Sequence, residues 1–317
     1  MTAAITIEGL TKRFGNFTAV DDLSLEVPQG SVFGFLGANG AGKTTTIRTI
    51  AGLTRPTRGR VEVGGITTDA GPAYRRQIGF LCQDPAFYGW MTGREVLRYA
   101  AGFYPESKAA RAGEIERLLK LVGLADAADR PCGEYSGGMR QRLGIGAALV
   151  GRPTLLLLDE PATGLDPLGR KDVLELMEEL RRQTTIFYST HILDDVQRVS
   201  DRVAVVDHGK LLVTDTTENL LTSYTRNRIR VELIGANPET TLRLAGVPGV
   251  AGVTVAERRN DSVTYTLKYS GEEPLPVQAA VTRLAASDGL VVVEARPEVM
   301  DLEQVFLRLV GKQEIAA

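Results

Sequence analysis

One eight-residue segment, residues 37–44, restricts the fold of this chain more than any other part of its sequence. It reads Gly-Ala-Asn-Gly-Ala-Gly-Lys-Thr, fits the pattern G-x-x-x-x-G-K-[ST], and is called the phosphate loop below. An apolar run at residues 31–36 predicts a buried strand before it, and residues 45–53 predict a helix after it. In such a strand–loop–helix unit, backbone N–H groups and the helix N-terminus attract phosphate. Lys43 would neutralise the β- and γ-phosphates and the Thr44 hydroxyl would help to hold Mg²⁺, so the segment predicts a nucleoside triphosphate site.

A pair of carboxylates forms the second signal. Four consecutive leucines at residues 155–158 predict a parallel strand covered on both faces, and Asp159 and Glu160 follow directly. A carboxylate at the carboxyl end of such a strand can hold Mg²⁺ opposite a phosphate loop, which is the role predicted for Asp159. Glu160 would lie near the γ-phosphate, where it can orient and polarise the attacking water. Without the phosphate loop, these residues would indicate only an ordinary strand-to-loop transition.

Residues 136–138, the Ser-Gly-Gly segment, open an apolar helical stretch at residues 143–150. Serine followed by glycines at a helix N-terminus offers a hydroxyl and bare N–H groups, which makes a second anion-binding device. Because the phosphate loop already holds one nucleotide, this device would address another nucleotide or another face. Taken alone, the segment also fits an ordinary serine cap followed by flexible glycines.

The first part of the chain has the pattern of an α/β sheet. Short β-like runs alternate with helical periods, after an antiparallel start at residues 6–10 and 19–27. Residues 85–124 are predicted to be helical. We therefore predict an α/β domain over residues 1–221, with a helical subdomain at about residues 85–150.

A second pattern follows the polar residues 216–227, which indicate a helix end and a linker. Apolar and polar positions alternate at residues 229–233 and 263–269, as in half-exposed strands. Residues 302–310 predict a final amphipathic helix. These elements predict a small accessory α+β domain over residues 222–317.

The chain resembles ATP-binding-cassette (ABC) ATPases over roughly residues 4–215. The resemblance lies in the order and approximate spacing of the phosphate loop, the Ser-Gly-Gly segment and the two carboxylates, together with Gln83, Asp166 and His191. The resemblance implies an α/β P-loop NTPase fold, with a RecA-like core, an antiparallel β subdomain and a helical subdomain. It also implies that two cassettes pack head to tail, so that each ATP lies between the phosphate loop of one and the Ser-Gly-Gly segment of the other.

Individual roles follow from the same resemblance. Glu160 resembles the catalytic base, His191 the histidine that contacts the γ-phosphate, and Gln83 the glutamine that reaches Mg²⁺ and the water. Asp166 resembles a residue of the loop that communicates across the dimer. Phe14 aligns with the aromatic residue that stacks on adenine, the alternative being a core residue. The residues predicted to bind nucleotide are Phe14, Gly37, Asn39, Gly40, Ala41, Gly42, Lys43, Thr44, Thr45, Ser136, Gly137, Gly138 and Asp166, and those predicted to hold the metal are Thr44, Gln83 and Asp159.

Two departures from the family pattern surround the Ser-Gly-Gly segment. Tyr135 stands where leucine is common and Met139 where glutamine is common, but neither change removes a group that contacts phosphate. With the run Asp-Leu-Glu-Gln-Val-Phe-Leu at residues 301–307, this form resembles the cassettes of bacterial drug, antibiotic and lipid exporters, which carry a similar C-terminal domain.

Composition narrows the partners. The net charge of −2 gives no reason to expect that the protein binds nucleic acid. Separately, Cys82 lies at the end of an apolar run and is predicted to be a small core residue. No run approaches the roughly 20 apolar residues that span a bilayer, and no signal peptide is expected. We predict an ATPase that uses ATP and Mg²⁺, pairs with a second copy of itself, and drives an exporter through a polytopic permease at the cytoplasmic face of the membrane.

Two alternatives are weaker. A soluble ABC ATPase that acts on ribosomes or DNA would normally carry two cassettes, a coiled coil or a cysteine-rich insert, and none of these is recognised here. The other alternative is a GTPase or a small-molecule kinase. The guanine-reading motif Asn-Lys-x-Asp does not occur in the sequence, and the Ser-Gly-Gly segment would have no role in such a protein.

Overall fold

A computed structural model gives the architecture, and it describes residues 2–105, 107–225, 227–259, 261–271, 273–298 and 302–314. Residue 301, the first of the C-terminal run noted above, lies outside these ranges. The described chain forms two compact units, which divide between Thr217 and Glu218, and the second unit ends at Gly311.

The secondary structure comprises strands and helices along the whole described chain. The strands are β1 (Ala3–Phe14), β2 (Phe17–Pro28), β3 (Val32–Leu36), β4 (Arg58–Val63), β5 (Ile66–Thr67), β6 (Ile78–Leu81), β7 (Leu155–Asp159), β8 (Thr185–Thr190), β9 (Arg202–Asp207), β10 (Lys210–Thr216), β11 (Arg228–Ile234), β12 (Val250–Arg258), β13 (Ser262–Tyr269) and β14 (Val291–Pro297). The helices are α1 (Lys43–Ile50), α2 (Pro72–Arg76), α3 (Gly93–Ala101), α4 (Lys108–Leu121), α5 (Gly137–Leu149), α6 (Pro167–Leu180), α7 (Leu193–Val199), α8 (Thr217–Thr225), α9 (Pro238–Ala245), α10 (Leu275–Ser287) and α11 (Leu302–Glu314).

A six-stranded sheet in the order β10-β9-β3-β8-β7-β6 forms the centre of the first unit. Strands β9, β3, β8, β7 and β6 pair in parallel, and β10 adds an antiparallel edge. Every residue of β3 and β7 is buried, which explains why their sequences are almost continuously apolar. Because the carboxyl ends of parallel strands meet at one edge, the phosphate loop after β3 and the carboxylates at the end of β7 come to the same edge.

The antiparallel start predicted from the sequence is confirmed as a second sheet, in the order β2-β1-β4-β5. Ile5 and Val27 of this sheet share one core with Phe33 and Phe35 of β3 and with Ile47 of α1. Each such side chain stabilises the fold by roughly 1.5–3 kcal/mol when it is buried. The helix that follows the phosphate loop is therefore fixed by packing against both sheets.

The helical part of the first unit consists of α3, α4 and α5, which pack against one another. The predicted helical region was wrong at its start, because residues 85–91 are irregular and α3 begins only at Gly93. A capping box of Thr92 and Glu95 sets that beginning. Among the described helices, none has both the length and the apolar sequence that crossing a bilayer requires.

The second unit has the predicted α+β fold. Its antiparallel sheet has the order β12-β13-β11-β14, and α9 and α10 pack against it. Ile229, Val231 and Leu233 are fully buried in its core, whereas Arg230 and Glu232, which alternate with them on β11, are half-buried. The predicted alternation is thus confirmed for residues 229–233. It was wrong for residues 263–269, because β13 buries Thr264 and Thr266 as well as Tyr265 and Leu267.

Three further differences from the sequence predictions concern residues 216–227, Cys82 and the edge strands. The helix end predicted within residues 216–227 is confirmed as α8, but this helix occupies Thr217–Thr225, so the linker predicted there was wrong. Leu220 of the helix is buried, and the Thr217 hydroxyl donates to the Ser200 carbonyl at 2.9 Å. Cys82 is half-buried rather than a core residue, because β6 ends at Leu81. The strands β10, β12 and β14 were missed because they lie at sheet edges, where the contrast between buried and exposed positions is weak.

Candidate functional site

A cleft of about 430 Å³ opens at the carboxyl edge of the parallel sheet. The site residues predicted from the sequence that line it are Asn39, Gly40, Gly42, Lys43, Thr44, Thr45, Gln83, Glu160 and His191. Phe17, Ala19 and Thr163 also line it, and none of these three was predicted. The structure thus brings together the phosphate loop, the end of β7 and the residue after β8, with β2 as an additional wall.

The phosphate loop requires glycine at two positions. Gly42 has a φ of 99°, and a Cβ there would lie 2.4 Å from the Ala19 carbonyl oxygen. Gly37 is buried, and a Cβ there would lie 2.5 Å from the Val206 carbonyl oxygen. Gly37 and the buried Ala41 therefore support the loop from the core side and do not line the cleft. Gly42 is also the N-cap of α1, and no side chain caps that helix, so its N-terminus remains available to an anion.

The Lys43 ammonium lies at the centre of the loop, with only 4% of its side chain exposed. It donates to the carbonyl oxygens of Gly37 and Ala38 at 2.9 and 3.1 Å and lies 3.2 Å from Glu160 Oε1. An unpaired buried ammonium would be strongly destabilising, so these oxygens hold the charge in place. The arrangement presents a buried cation to whatever anion enters the cleft.

Glu160 is held on several sides. Its Oε2 accepts a hydrogen bond from the Thr163 hydroxyl at 2.8 Å and lies 2.9 Å from His191 Nδ1. Burial, the largest influence, raises its pKa, but the Thr163 hydrogen bond, the Lys43 ammonium and His191 together outweigh burial and lower the pKa below its ordinary value. The carboxylate is therefore ionised at neutral pH, as a general base must be.

The backbone of Glu160 adopts the left-handed conformation, with a φ of 48°, which is uncommon outside glycine. Its N–H donates to the Ser189 hydroxyl and lies within hydrogen-bond distance of the Ser189 carbonyl oxygen, at 3.0 and 3.2 Å. These contacts with β8 hold the sharp turn that directs the Glu160 side chain into the cleft.

Asp159 is buried and is not among the described residues that line the cleft, but it contacts Thr44, which does line it. Asp159 Oδ1 accepts from the Ser189 hydroxyl at 2.7 Å and from the Thr44 hydroxyl at 3.1 Å. Carboxylate and hydroxyl oxygens are ligands that Mg²⁺ accepts, and the remaining positions around such an ion are normally filled by water and phosphate. The residues present therefore fit a magnesium ion, with the Gln83 amide on the wall of the same cleft.

The Ser-Gly-Gly segment lies elsewhere, since none of its residues is among the described residues that line the cleft. The Ser136 hydroxyl caps α5 by accepting from the Met139 N–H at 3.2 Å. Gly138 packs against α6, where an added Cβ would lie 3.0 Å from the Gly169 Cα. Asp166 also belongs here, because its Oδ1 lies 2.7 Å from the position of a Cβ on Gly169. The structure groups Asp166 with the Ser-Gly-Gly segment rather than with the cleft.

Phe14 does not line the cleft. Its side chain is 54% exposed, which rules out the core alternative, and Lys12 Nζ lies 4.7 Å from the centre of its ring. Phe17 pairs with Phe14 across the β1–β2 hairpin and does line the cleft. Two phenylalanines that flank a two-residue turn were the signal in the sequence that could have identified Phe17.

Comparison with known proteins agrees with this geometry. A family model described as ABC transporter matches residues 20–163. Bacitracin transport ATP-binding protein BcrA of Bacillus licheniformis is 34% identical over 98% of this chain and 98% of its own length. The chain belongs to the ATP-binding proteins of ABC transporters. Another ABC relative, daunorubicin/doxorubicin resistance ATP-binding protein DrrA of Streptomyces peucetius, is 37% identical over 98% of this chain and 93% of its own length.

The fold class is confirmed by solved ABC structures. A dimeric ATP-binding cassette in a post-hydrolysis state, bound to ADP and Pi, matches with a TM-score of 0.61 and 25% identity. The match covers 67% of this chain and 98% of that cassette. The two relatives named above match over nearly the whole chain, so their similarity includes the second unit.

Family membership confirms the main functional prediction. ABC cassettes bind nucleotide and hydrolyse ATP, so this ABC ATP-binding protein is an ATPase and the ATP-hydrolysing subunit of a transporter. Cassettes of this family work as dimers with membrane permeases. The relatives do not support the alternative of a non-transport ABC ATPase.

Phe17→Ala is expected to weaken ATP binding more than Phe14→Ala, because only the Phe17 ring lines the cleft. Stacking of a base on an aromatic ring contributes about 1–3 kcal/mol, so the Kd should rise about 5- to 150-fold. Titration of both variants with a fluorescent ATP analogue measures this difference. Both rings are largely exposed, so neither change should affect folding. A larger loss in Phe14→Ala would assign the stacking role to the residue predicted from the sequence.

Proposed function

We propose that this ABC ATP-binding protein is the ATPase subunit of an exporter of antibiotic-like compounds. The two relatives that match nearly the whole chain are named for bacitracin transport and for daunorubicin/doxorubicin resistance. Resistance that depends on an ATP-binding transport protein is most directly achieved by export. The compound itself would bind in a separate permease, and this chain would supply the energy of ATP hydrolysis.

The active form that we propose is a homodimer packed head to tail. The observation that carries this proposal is the position of the Ser-Gly-Gly segment, which does not line the cleft of its own chain. In a head-to-tail pair, Ser136 and Gly138 of one copy reach the γ-phosphate of ATP in the cleft of the other. A two-fold symmetric pair has two equivalent sites, so one set of motifs per chain is sufficient.

The charged and polar residues in and beside the cleft have separate roles in this proposal. Lys43 and the N–H groups of the phosphate loop bind the β- and γ-phosphates, while Glu160 takes the proton from the attacking water and His191 contacts the γ-phosphate. A bound triphosphate would give Lys43 new oxygen partners and reduce its hold on Glu160. Thr44, Asp159 and Gln83 would hold Mg²⁺, which neutralises charge on the phosphates.

Coupling to the permease would use a groove next to the cleft. Binding of ATP closes the dimer, and release of phosphate and ADP after hydrolysis reopens it. A groove of about 350 Å³ lies along β6 and α5, and its walls include Cys82, Pro85 and Phe87. Nearby in the sequence, the side chains of Tyr88 and Trp90 are stacked on each other and exposed. Exposed clusters of large apolar side chains mark protein–protein contacts, and a helix of the permease would fit here.

Cys82 offers a direct test of this docking surface. Its thiol is half-buried and should react with a maleimide in the isolated protein, whereas Cys132, with 2% exposure, should not. In the complex with the permease, labelling of Cys82 should fall to the level of Cys132, as measured by mass spectrometry of tryptic peptides. Cys82→Ser is the control for background labelling. Undiminished labelling in a stoichiometric complex would place the permease on another surface.

The proposed function as a whole is tested by affinity purification of the tagged protein from gently solubilised native membranes. A polytopic membrane protein recovered in stoichiometric amount would support a transporter ATPase and identify the subunit that holds the substrate site. Protease accessibility in sealed vesicles would then test the proposed location on the cytoplasmic face. Recovery alone or with ribosomes would contradict the proposal.

A further inference from the structure

An ion pair joins α6 and α7. Arg170 Nε lies 2.7 Å from Asp195 Oδ1, and the side chains are 33% and 1% exposed. The other carboxylate oxygen, Asp195 Oδ2, is buried and has no hydrogen-bond partner among the described residues. Burial raises the pKa of Asp195, and the hydrogen bond from Arg170 opposes that rise.

Stability alone does not account for this pair. A buried carboxylate loses its hydration, and a single contact with a partly exposed guanidinium restores only part of that loss. Apolar residues of similar volume usually serve the fold equally well at such a position. Val173 of α6 lies three residues after Arg170, and Val196 of α7 directly follows Asp195. Both valines are fully buried, so each helix already has apolar side chains in the core beside the ion pair.

Each partner lies shortly after one of the predicted site residues, at the start of its helix. Arg170 follows Asp166 by four residues, and its N–H donates to the Asp166 carbonyl at 2.9 Å. Asp195 follows His191 by four residues. At the other end, His191 and Thr163 both contact Glu160 Oε2. Taken with the backbone of residues 163–166 and 191–195, these contacts close a ring that runs from Glu160 through Asp166, Arg170, Asp195 and His191 back to Glu160.

We propose that Arg170 and Asp195 are positioning residues, which hold His191 and residues 163–166 at a fixed distance from Glu160. The inference rests on the roles proposed above for Glu160 and His191. The pair does not touch nucleotide. It limits how far α6 and α7 can separate at their N-terminal ends, and so keeps the His191 imidazole on the Glu160 carboxylate.

Kinetics of three variants test the proposal. Asp195→Asn keeps the size of the side chain and removes its charge, and the double variant Arg170→Met/Asp195→Leu replaces the pair by apolar residues without leaving a charge buried. Glu175→Gln is the matched control, because Glu175 and Arg198 form another, exposed ion pair between the same two helices at 3.5 Å. We expect kcat to fall about ten- to hundredfold in the first two variants, since small displacements of positioned groups have effects of that size.

Two further measurements separate positioning from structural support. The Kd of ADP should stay unchanged in all variants, since ADP has no γ-phosphate for His191 to contact and the phosphate loop is not touched, and the Tm of the double variant should stay near that of the wild type. The chain has only two histidines, His191 and His208, so the imidazole NMR spectrum of the nucleotide-free protein has two signals. The signal of His191, identified by comparison with a His208→Asn variant, should shift or broaden in Asp195→Asn.

Three results of these experiments would overturn the inference. Wild-type kcat in a stable double variant, or an unaltered His191 signal in Asp195→Asn, would overturn the inference. An equal loss in Glu175→Gln would also overturn it, because any contact between α6 and α7 would then suffice. The NMR signal does not depend on catalysis, so a failure of the roles proposed for Glu160 and His191 would be recognised separately, by full turnover in Glu160→Gln.

Discussion

Glu160→Gln is expected to bind ATP and to form the closed dimer, but to hydrolyse ATP about 10²–10⁴-fold more slowly, which is the usual contribution of a positioned general base. Glutamine has nearly the same shape and can still accept the hydrogen bond from Thr163. It carries no charge and cannot take the proton of the attacking water. Lys43 keeps its contacts with the carbonyl oxygens of Gly37 and Ala38, so the phosphate loop should keep its conformation.

Phosphate release under steady-state conditions measures the loss, and size-exclusion chromatography with ATP measures the dimer that accumulates. Thr163→Val is the matched control, because it removes one hydrogen bond from Glu160 and leaves the carboxylate in place. Its effect should be much smaller than that of Glu160→Gln. Full turnover by Glu160→Gln would exclude Glu160 as the base.

The parts of the site that are contiguous in the sequence could be predicted from it. The phosphate loop is a local structure, in which Gly42 sets the backbone and α1 follows directly. The strand β7 is buried on both faces, so its leucines indicate both the strand and the edge at which Asp159 and Glu160 emerge. Both predictions depend only on residues that are neighbours in the sequence, and the structure has the loop, the helix and the strand where they were predicted.

The parts that depend on packing between distant segments could not be predicted. Ala19 lines the cleft only because the antiparallel sheet packs against α1, and no local pattern indicates that this residue of β2 faces that way. The contact of Thr163 with Glu160 depends on the course of a loop. The pair of Arg170 and Asp195 joins two helices whose relative position follows from the whole core.

A mixture of two inactive chains is expected to recover ATPase activity, because each proposed site takes its phosphate loop and its Ser-Gly-Gly segment from different copies. Lys43→Met removes the cation from the cleft. Ser136→Asp puts a carboxylate where the γ-phosphate of the other copy would bind. Aspartate is as good an N-cap as serine, so α5 should remain intact.

Each variant alone should hydrolyse ATP at background rate, since every site of its homodimer has one defect. In the mixed dimer, the unchanged cleft of the Ser136→Asp chain meets the unchanged Ser-Gly-Gly segment of the Lys43→Met chain, and the second site carries both defects. Because neither variant should form the ATP-bound dimer with itself, the dimers of an equimolar mixture are mixed and have one intact site of two, so activity should return to at most about half of the wild-type value if the sites act independently.

Two comparisons make this result specific for a shared site. Ser136→Asn caps α5 and adds no charge, so it should keep far more activity alone than Ser136→Asp, which separates repulsion of phosphate from damage to the helix. Size-exclusion chromatography of the mixture with ATP should reveal a dimer that neither variant forms alone. If each chain used only its own Ser-Gly-Gly segment, both clefts of the mixed dimer would keep a defect. The mixture would then show only the sum of the two background rates and no new dimer, and the head-to-tail arrangement would have to be abandoned.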